Sequence, residues 1–271
     1  MTSQTLRKST VNPNAFKNLI ADSLTVFWGD WLDLRARILQ VVSSGLISPL
    51  IYIVAFGLGL GSTLPRSSFS VGNSYLEFIL PGMIALSSMV ISFGGTTFSI
   101  CGKRLFSKTF EELLLMPINP LAVQLGKMLA GIVRGLLTAS SVILISIIVT
   151  RSFAFLHPLF LLVLILNCAV FAGLGVIVGL KVKSLESVGI CNNFLIVPMS
   201  FLGGTFFDIE KLPIALKVIC HFLPLTYTSM GLRAAAYQPL SQFPWYVIPV
   251  LLGFAAILAW QGSKQFSSLQ D

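Results

Sequence analysis

Charge is what this sequence of 271 residues has least of: aspartate, glutamate, lysine and arginine make up 10% of it. An ordinary soluble domain carries roughly 25%, so a chain wetted over its whole surface is excluded. Histidine occurs at His157 and His221 alone, and neither has a second histidine or a carboxylate at ligand spacing, which argues against a zinc-type catalytic centre. The cysteines, Cys101, Cys168, Cys191 and Cys220, fall singly and form no C-x-x-C pair. They read as small buried hydrophobes rather than a redox or metal site. No G-x-x-x-x-G-K-[ST] occurs, because Gly102-Lys103 is followed by Arg104 and Gly126-Lys127 by Met128. A loop that cradles phosphate is therefore missing from this chain, and "GLGVIVG" sits inside an apolar run with no strand before it.

Apolar side chains are abundant instead, at 55% of residues and a mean hydropathy of +0.88. A helix needs about 20 mostly apolar residues to cross about 30 Å of hydrocarbon. Runs of that length fall at about 39–61, 77–100, 121–149, 158–180, 187–206 and 244–262. The fold class expected is an all-α integral membrane protein with six transmembrane helices, residues 39–271 forming the membrane domain. The net charge of +8 is dispersed around these runs, which fits anionic lipid headgroups and not nucleic acid.

Residues 1–38 precede the first span. Their polar, amphipathic start lacks the short apolar core of a removable signal peptide. Asn12-Pro13 reads as a helix start. Beyond it Phe16, Leu19, Ile20, Leu24, Phe27, Trp28 and Trp31 recur at helical spacing, with Lys17, Asp22 and Asp30 mostly off the stripe. Such a helix suits the membrane interface.

If both ends face the cytoplasm, most cations collect inside, among them Arg35, Arg37, Lys103, Arg104, Lys108, Lys181 and Lys183. Arg66, Arg151, Lys211, Lys217 and Arg233 then lie outside. That asymmetry supports an even number of spans with both termini cytosolic. Residues 207–243 are too apolar for a solvated loop and too interrupted by Pro213, Pro224 and Pro239 for one clean span. Two short helices in a partly re-entrant segment satisfy both facts; a seventh span is the competing assignment.

Between the second and third spans lies "KRLFSKTFEELLLMPINP", Lys103 to Pro120. Read as one helix, it places Arg104, Lys108, Glu111 and Glu112 on one side and Phe106, Phe110, Leu113, Leu114 and Pro117 on the other. It is either a solvated connection or a lever offered to a cytosolic partner.

Four fragments taken together, in order and spacing, resemble the type-2 ABC transporter permeases over nearly the whole chain. They are "YLEFILPGMIAL", "KTFEELLLMPINPLAVQLGK", "FLGGTFFDIEKLP" and "LPLTYTSMGLR". The resemblance implies a paired six-helix domain in a bacterial inner membrane, exporting a drug, lipid or polysaccharide. The partners implied are a second copy of this or a similar permease and a cytosolic P-loop ATPase subunit, which would bind the ATP and Mg. The helix before the third span would be the coupling helix, seated in a cleft of that ATPase. Glu111 matches the family's acidic position, and Leu113, Leu114 and Pro117 match its "LL…P" ending. Lys108 departs from the glycine many members carry before the threonine.

Within the spans, Arg134 is costly to expose, about 2.5–3.5 kcal/mol at a helix centre. It either lines a path for anionic substrate or anchors to inner-leaflet phosphates. Asn167, Asn192 and Asn193 either join that path or hydrogen-bond between helices. The rivals to an ATP-driven exporter are an ion-coupled carrier and a membrane-embedded enzyme. The first is disfavoured because Glu77 and Glu186 sit at span ends and no carboxylate lies mid-span. His221 near Asp208 and Glu210 is the one polar cluster the second could use.

Overall fold

The computed structural model describes residues 15–59, 75–107, 109–116 and 118–270. Eleven α-helices follow one another among them. They are α1 (Ala15–Arg35), α2 (Ile38–Tyr52), α3 (Tyr75–Gly102), α4 (Thr109–Leu115), α5 (Pro120–Thr150) and α6 (Pro158–Lys181), then α7 (Leu185–Cys191), α8 (Val197–Leu202), α9 (Ile214–His221), α10 (Pro224–Tyr237) and α11 (Val247–Gln270). Wide π-type turns extend α2 through Ile53–Gly59 and α3 through Lys103–Ser107, and join α7 to α8 through Asn192–Ile196. The last falls where Pro198 withholds its N–H from the carbonyl of Phe194 and its ring crowds that carbonyl, a conflict that a wider turn relieves.

Six helical segments are long and apolar enough to cross a membrane: Ile38–Ala55, Tyr75–Leu105, Pro120–Thr150, Pro158–Lys181, Leu185–Leu202 and Val247–Gln270. Among the described residues each overlaps an expected run, but the first ends at Ala55 instead of near 61, the second continues to Leu105 instead of ending near 100, and the last continues to Gln270 instead of ending near 262. The helix starts follow from local chemistry. Asn119 accepts from Leu121 N at 3.0 Å ahead of Pro120, His157 accepts from Leu159 N ahead of Pro158, and Ser184 accepts from Ser187 N, so each satisfies a backbone donor that no helical carbonyl reaches.

α3 is the axis of the bundle, with 78% of its most apolar window buried, against 11% for α2 and 22% for α7–α8. Lipid tails are as apolar as leucine, so helices pack in a membrane through close backbone approach and hydrogen bonds. The α3 seam has both. Ser92 donates to Gly131 O and Thr97 to Gly175 O, each at 3.1 Å. A Cβ on Gly175 would lie 2.7 Å from Phe93 O. Gly175 and Gly179, one turn apart, thus serve packing of α6 on α3 inside one subunit.

Within 207–243, α9 and α10 are the two short helices expected. α10 has 14 residues, about 21 Å at 1.5 Å each, too short to cross about 30 Å alone. It buries Leu225, Thr228, Leu232 and Arg233 against α3 and α6. Arg233, assigned above to an outer loop, is 6% exposed. Its guanidinium donates to the carbonyls of Phe78, Gly204 and Thr205 at 2.9, 2.5 and 2.9 Å and lies 3.8 Å from the Phe78 ring centroid. It stitches α3, α10 and the irregular chain after α8, supplying donors to the Gly204 and Thr205 carbonyls, which lie outside any helix.

The stretch Lys103–Pro120 is not one helix. A wide turn continues α3, and a separate helix of seven residues, α4, follows. Phe106, expected on the packed side, is therefore swung outward and is 73% exposed, while Phe110 is 5% exposed.

Candidate functional site

α4 stands at one end of the bundle, between α3 and α5, and is seated through one side. Phe110 joins Ile100, Val123 and Phe266 in a buried cluster, with the half-buried Leu113 and Leu114 against it. Glu112 is exposed, and so are Leu115 at 87% and Met116 at 48%. The helix thus presents an acidic and apolar tip beyond the spans. Lys108, Pro117 and the side chain of Glu111 lie outside the described residues.

Arg104 does not share that outward face. Its Nη1 donates to the carbonyls of Gly179, Leu180 and Val182, closing the C-terminus of α6, where carbonyls lack helical partners and the helix dipole favours a cation. Its guanidinium carbon also lies 5.7 Å from the Phe110 ring.

Beside this root lies a charge cluster. Asp30 of α1 is 2% exposed. Lys127 Nζ of α5 donates to both of its carboxylate oxygens, at 2.9 and 2.8 Å. Lys103 Nζ reaches Asp30 Oδ1 at 2.7 Å and Asp33 Oδ2 at 2.8 Å. Burial alone pushes the Asp30 carboxyl up, but the ammonium groups of Lys127 and Lys103 outweigh it and hold the carboxyl below its ordinary value. α1 reaches α5 because Gly126 has no side chain: a Cβ there would lie 2.7 Å from Ser23 O. The face of α1 turned to protein is Ser23, Val26, Asp30 and Leu34, while Ile20, Leu24, Trp28 and Leu32 are exposed. Of the apolar stripe read from the sequence, Ile20, Leu24 and Trp28 lie on the outward face and Leu19, Phe27 and Trp31 are half-buried, an arrangement that suits a helix resting on lipid.

The remaining expected site residues do not form one cluster. Arg134 lies against α3, donating to Gly95 O at 2.6 Å and to Ser99 Oγ at 3.4 Å. Asn167 is fully buried. Its Nδ2 donates to Ala85 O and Ser88 Oγ at 3.1 and 2.9 Å, and its Oδ1 accepts from Thr228 at 2.9 Å. It ties α6 to α3 and α10. Asn193 is exposed. Asn192 lines a groove of about 210 Å³ between α2, α3 and α7–α8, together with Ser44, Ser48, Ser87 and Ser200. Arg134 is one helical turn from the groove floor, since Gly45 abuts Ile91 and Thr138 and these precede Gly95 and follow Arg134 by four residues. A larger depression of about 660 Å³ lies at the opposite end, beside His157, Gln238 and Phe243, but no lysine, arginine or carboxylate lines it.

His221 is engaged locally, its Nδ1 2.7 Å from Lys217 O and its ring edge-on to Tyr227. Among the described residues no group of histidines, cysteines and carboxylates could hold a metal ion. Sequence reasoning missed Asp30, Lys103 and the groove serines. The signal for the first was present: a carboxylate in line with Ser23, Val26 and Leu34, and Lys127 beside a glycine in an apolar run, are charges of opposite sign that each need a partner.

The sequence profile described as ABC-2 type transporter matches residues 14–237. The chain is 26% identical over 219 residues to the inner membrane transport permease YadH of Escherichia coli K12, covering 81% of each chain. It is 28% identical over 209 residues to Nodulation protein J of Rhizobium leguminosarum bv. viciae, covering 76% of this chain and 78% of that one. With Nodulation protein J of Neorhizobium galegae it shares 29% identity over 198 residues, 70% of this chain and 71% of that one. A six-span helical bundle, a short helix offered beyond the spans before the third and a profile match across most of the chain agree, and the protein belongs to the ABC-2 type transporter family.

Proposed function

We propose that this chain is the permease subunit of an ATP-driven exporter, working as a pair with two copies of a separate P-loop ATPase that binds ATP and Mg. The supporting observation is α4. A helix of seven residues is too short to hold itself in water, yet it is seated by Phe110 and leaves Leu115, Met116 and Glu112 exposed. An apolar tip with an acidic neighbour, outside the lipid-crossing segments, suits a protein cleft. In this reading both termini and α4 face the cytosol. Closure of the ATPases displaces α4, and the packed helices carry the displacement.

The translocation path is the groove between α2, α3 and α7–α8. The outer faces of α2 and α7–α8 carry the exposed Ser44, Ser48 and Asn193, polar groups that lipid disfavours. α11, equally peripheral, exposes Leu252, Ile257 and Trp260. Beside the polar groups of α2 and α7–α8, Ile47, Ile51 and Phe194 are also exposed, so in this reading the first pair of faces meets a second copy along a path with polar and apolar contacts, and the apolar part of α11 meets lipid. Arg134 beside the groove favours an amphiphile with an anionic head.

Gentle purification tests the reading: a P-loop ATPase copurifies, and reconstituted vesicles export only with ATP. Glu111→Lys together with Glu112→Lys abolishes substrate-stimulated hydrolysis while insertion is preserved. A lone chain that moves solute down a proton gradient, or one that turns over lipid without ATP, refutes the exporter.

A further inference from the structure

Lys103 and Arg104 are adjacent in the turn that feeds α4, yet they grip opposite parts of the bundle. Lys103 holds Asp30 and Asp33 on α1. Arg104 holds the last carbonyls of α6. Successive residues of this wide turn still project in different directions, so one turn can reach both. Each gripped element ends within a few residues of a corner. α1 ends at Arg35 and α2 begins at Ile38; α6 ends at Lys181 and α7 begins at Leu185. Beyond those corners, α2 and α7–α8 form the two walls of the groove.

We infer that Lys103 and Arg104 are positioning residues forming a fork that divides a displacement of α4 between the two walls of the groove, Lys103 driving α2 through α1 and Arg104 driving α7–α8 through α6. The inference rests on the reading that α4 is where the ATPase acts.

Neutralising Asp30 is not the whole role of the first arm. Lys127 already donates to both Asp30 oxygens, and Lys103 adds to that neutralisation while also reaching Asp33. The Lys103 and Asp33 side chains are 26% and 59% exposed, and a bridge that wet adds at most about 1 kcal/mol. What Lys103 adds is a link between the α4 root and α1. The second arm gathers three α6-end carbonyls on one guanidinium nitrogen, Nη1.

The test uses the full permease with its ATPase in liposomes, in a Cys191→Ser background. Ser48→Cys reports the α2 wall and Val197→Cys the α8 wall, through the rate of labelling by a polar maleimide with and without a non-hydrolysable ATP analogue. In the otherwise unaltered complex the nucleotide changes both rates. Lys103→Gln removes the change at residue 48 and keeps it at 197; Arg104→Gln does the reverse. Each lowers transport about tenfold while ATP hydrolysis continues, and Lys103→Arg restores the first arm. Lys103→Gln leaves the Asp30–Lys127 pair in place, so it decides the inference even if Arg104→Gln fails to accumulate. Wild-type transport and labelling in Lys103→Gln overturns the fork. No nucleotide response at either position in the unaltered complex overturns the exporter reading itself.

Discussion

Phe266, near the end of α11, packs against Phe110 of α4, with ring centroids 5.8 Å apart and planes tilted by 36°. The last turns of α11 therefore do more than complete a span: they seat the helix that stands outside it. Phe266→Ala should cost about 3 kcal/mol of packing, at the low end for a buried aromatic. Faster hydrogen exchange at Thr109–Leu115, with the spans unchanged, is the expected outcome.

Asp30 carries the tie between α1 and α5. Its folded carboxyl titrates below the ordinary value of 3.8, so the unfolded state binds protons first as pH falls. The stabilisation is fully present above about pH 4 and is lost as pH drops through the depressed value. Trp31 fluorescence on α1 should stay flat from about pH 8 to 5 and change only in stronger acid. Asp30→Asn strands Lys127 and should cost about 3–5 kcal/mol at neutral pH.

Asn167 and Asn192 should separate stability from transport. Asn167→Leu removes three hydrogen bonds between helices, each worth about 0.6 kcal/mol on average in a membrane. It should lower the midpoint of denaturation and leave substrate preference alone. Asn192→Leu, in the groove, should do the opposite in a transport assay.

Gly175 and Gly94 make a matched pair. A side chain on Gly175 meets the Phe93 carbonyl, whereas Gly94 has nothing within 4 Å of a built Cβ. Gly175→Leu should destabilise by about 1–3 kcal/mol or more, and Gly94→Ala should be nearly silent. Thermal unfolding in detergent compares them directly.

Span positions were legible because a bilayer imposes one length on every crossing helix, and a run such as Pro120–Thr150 announces itself by hydropathy. The breaks at Pro213 and Pro224 likewise pointed to the short helices α9 and α10. Less legible were features decided by which partner a side chain meets. Arg104 reads as an outward cation until the C-terminus of α6 is beside it, and Arg233 reads as a loop charge until the irregular chain after α8 supplies carbonyls. Phe106 was misplaced because a uniform 100° step was carried across a turn that is wider than an α-helix. The stripe of α1 was read as interfacial, and Ile20, Leu24 and Trp28 do face outward; what periodicity did not show was that Asp30 on the other side meets Lys127.

The polar seam of α3 bears on how the protein is made. The Asn167 amide nitrogen is bonded to α3 through Ala85 O and Ser88 Oγ, but its oxygen is completed only by Thr228 of α10, which leaves the ribosome after every other contributor to that contact. A nascent chain stalled before α10 would leave that amide oxygen open within the bilayer.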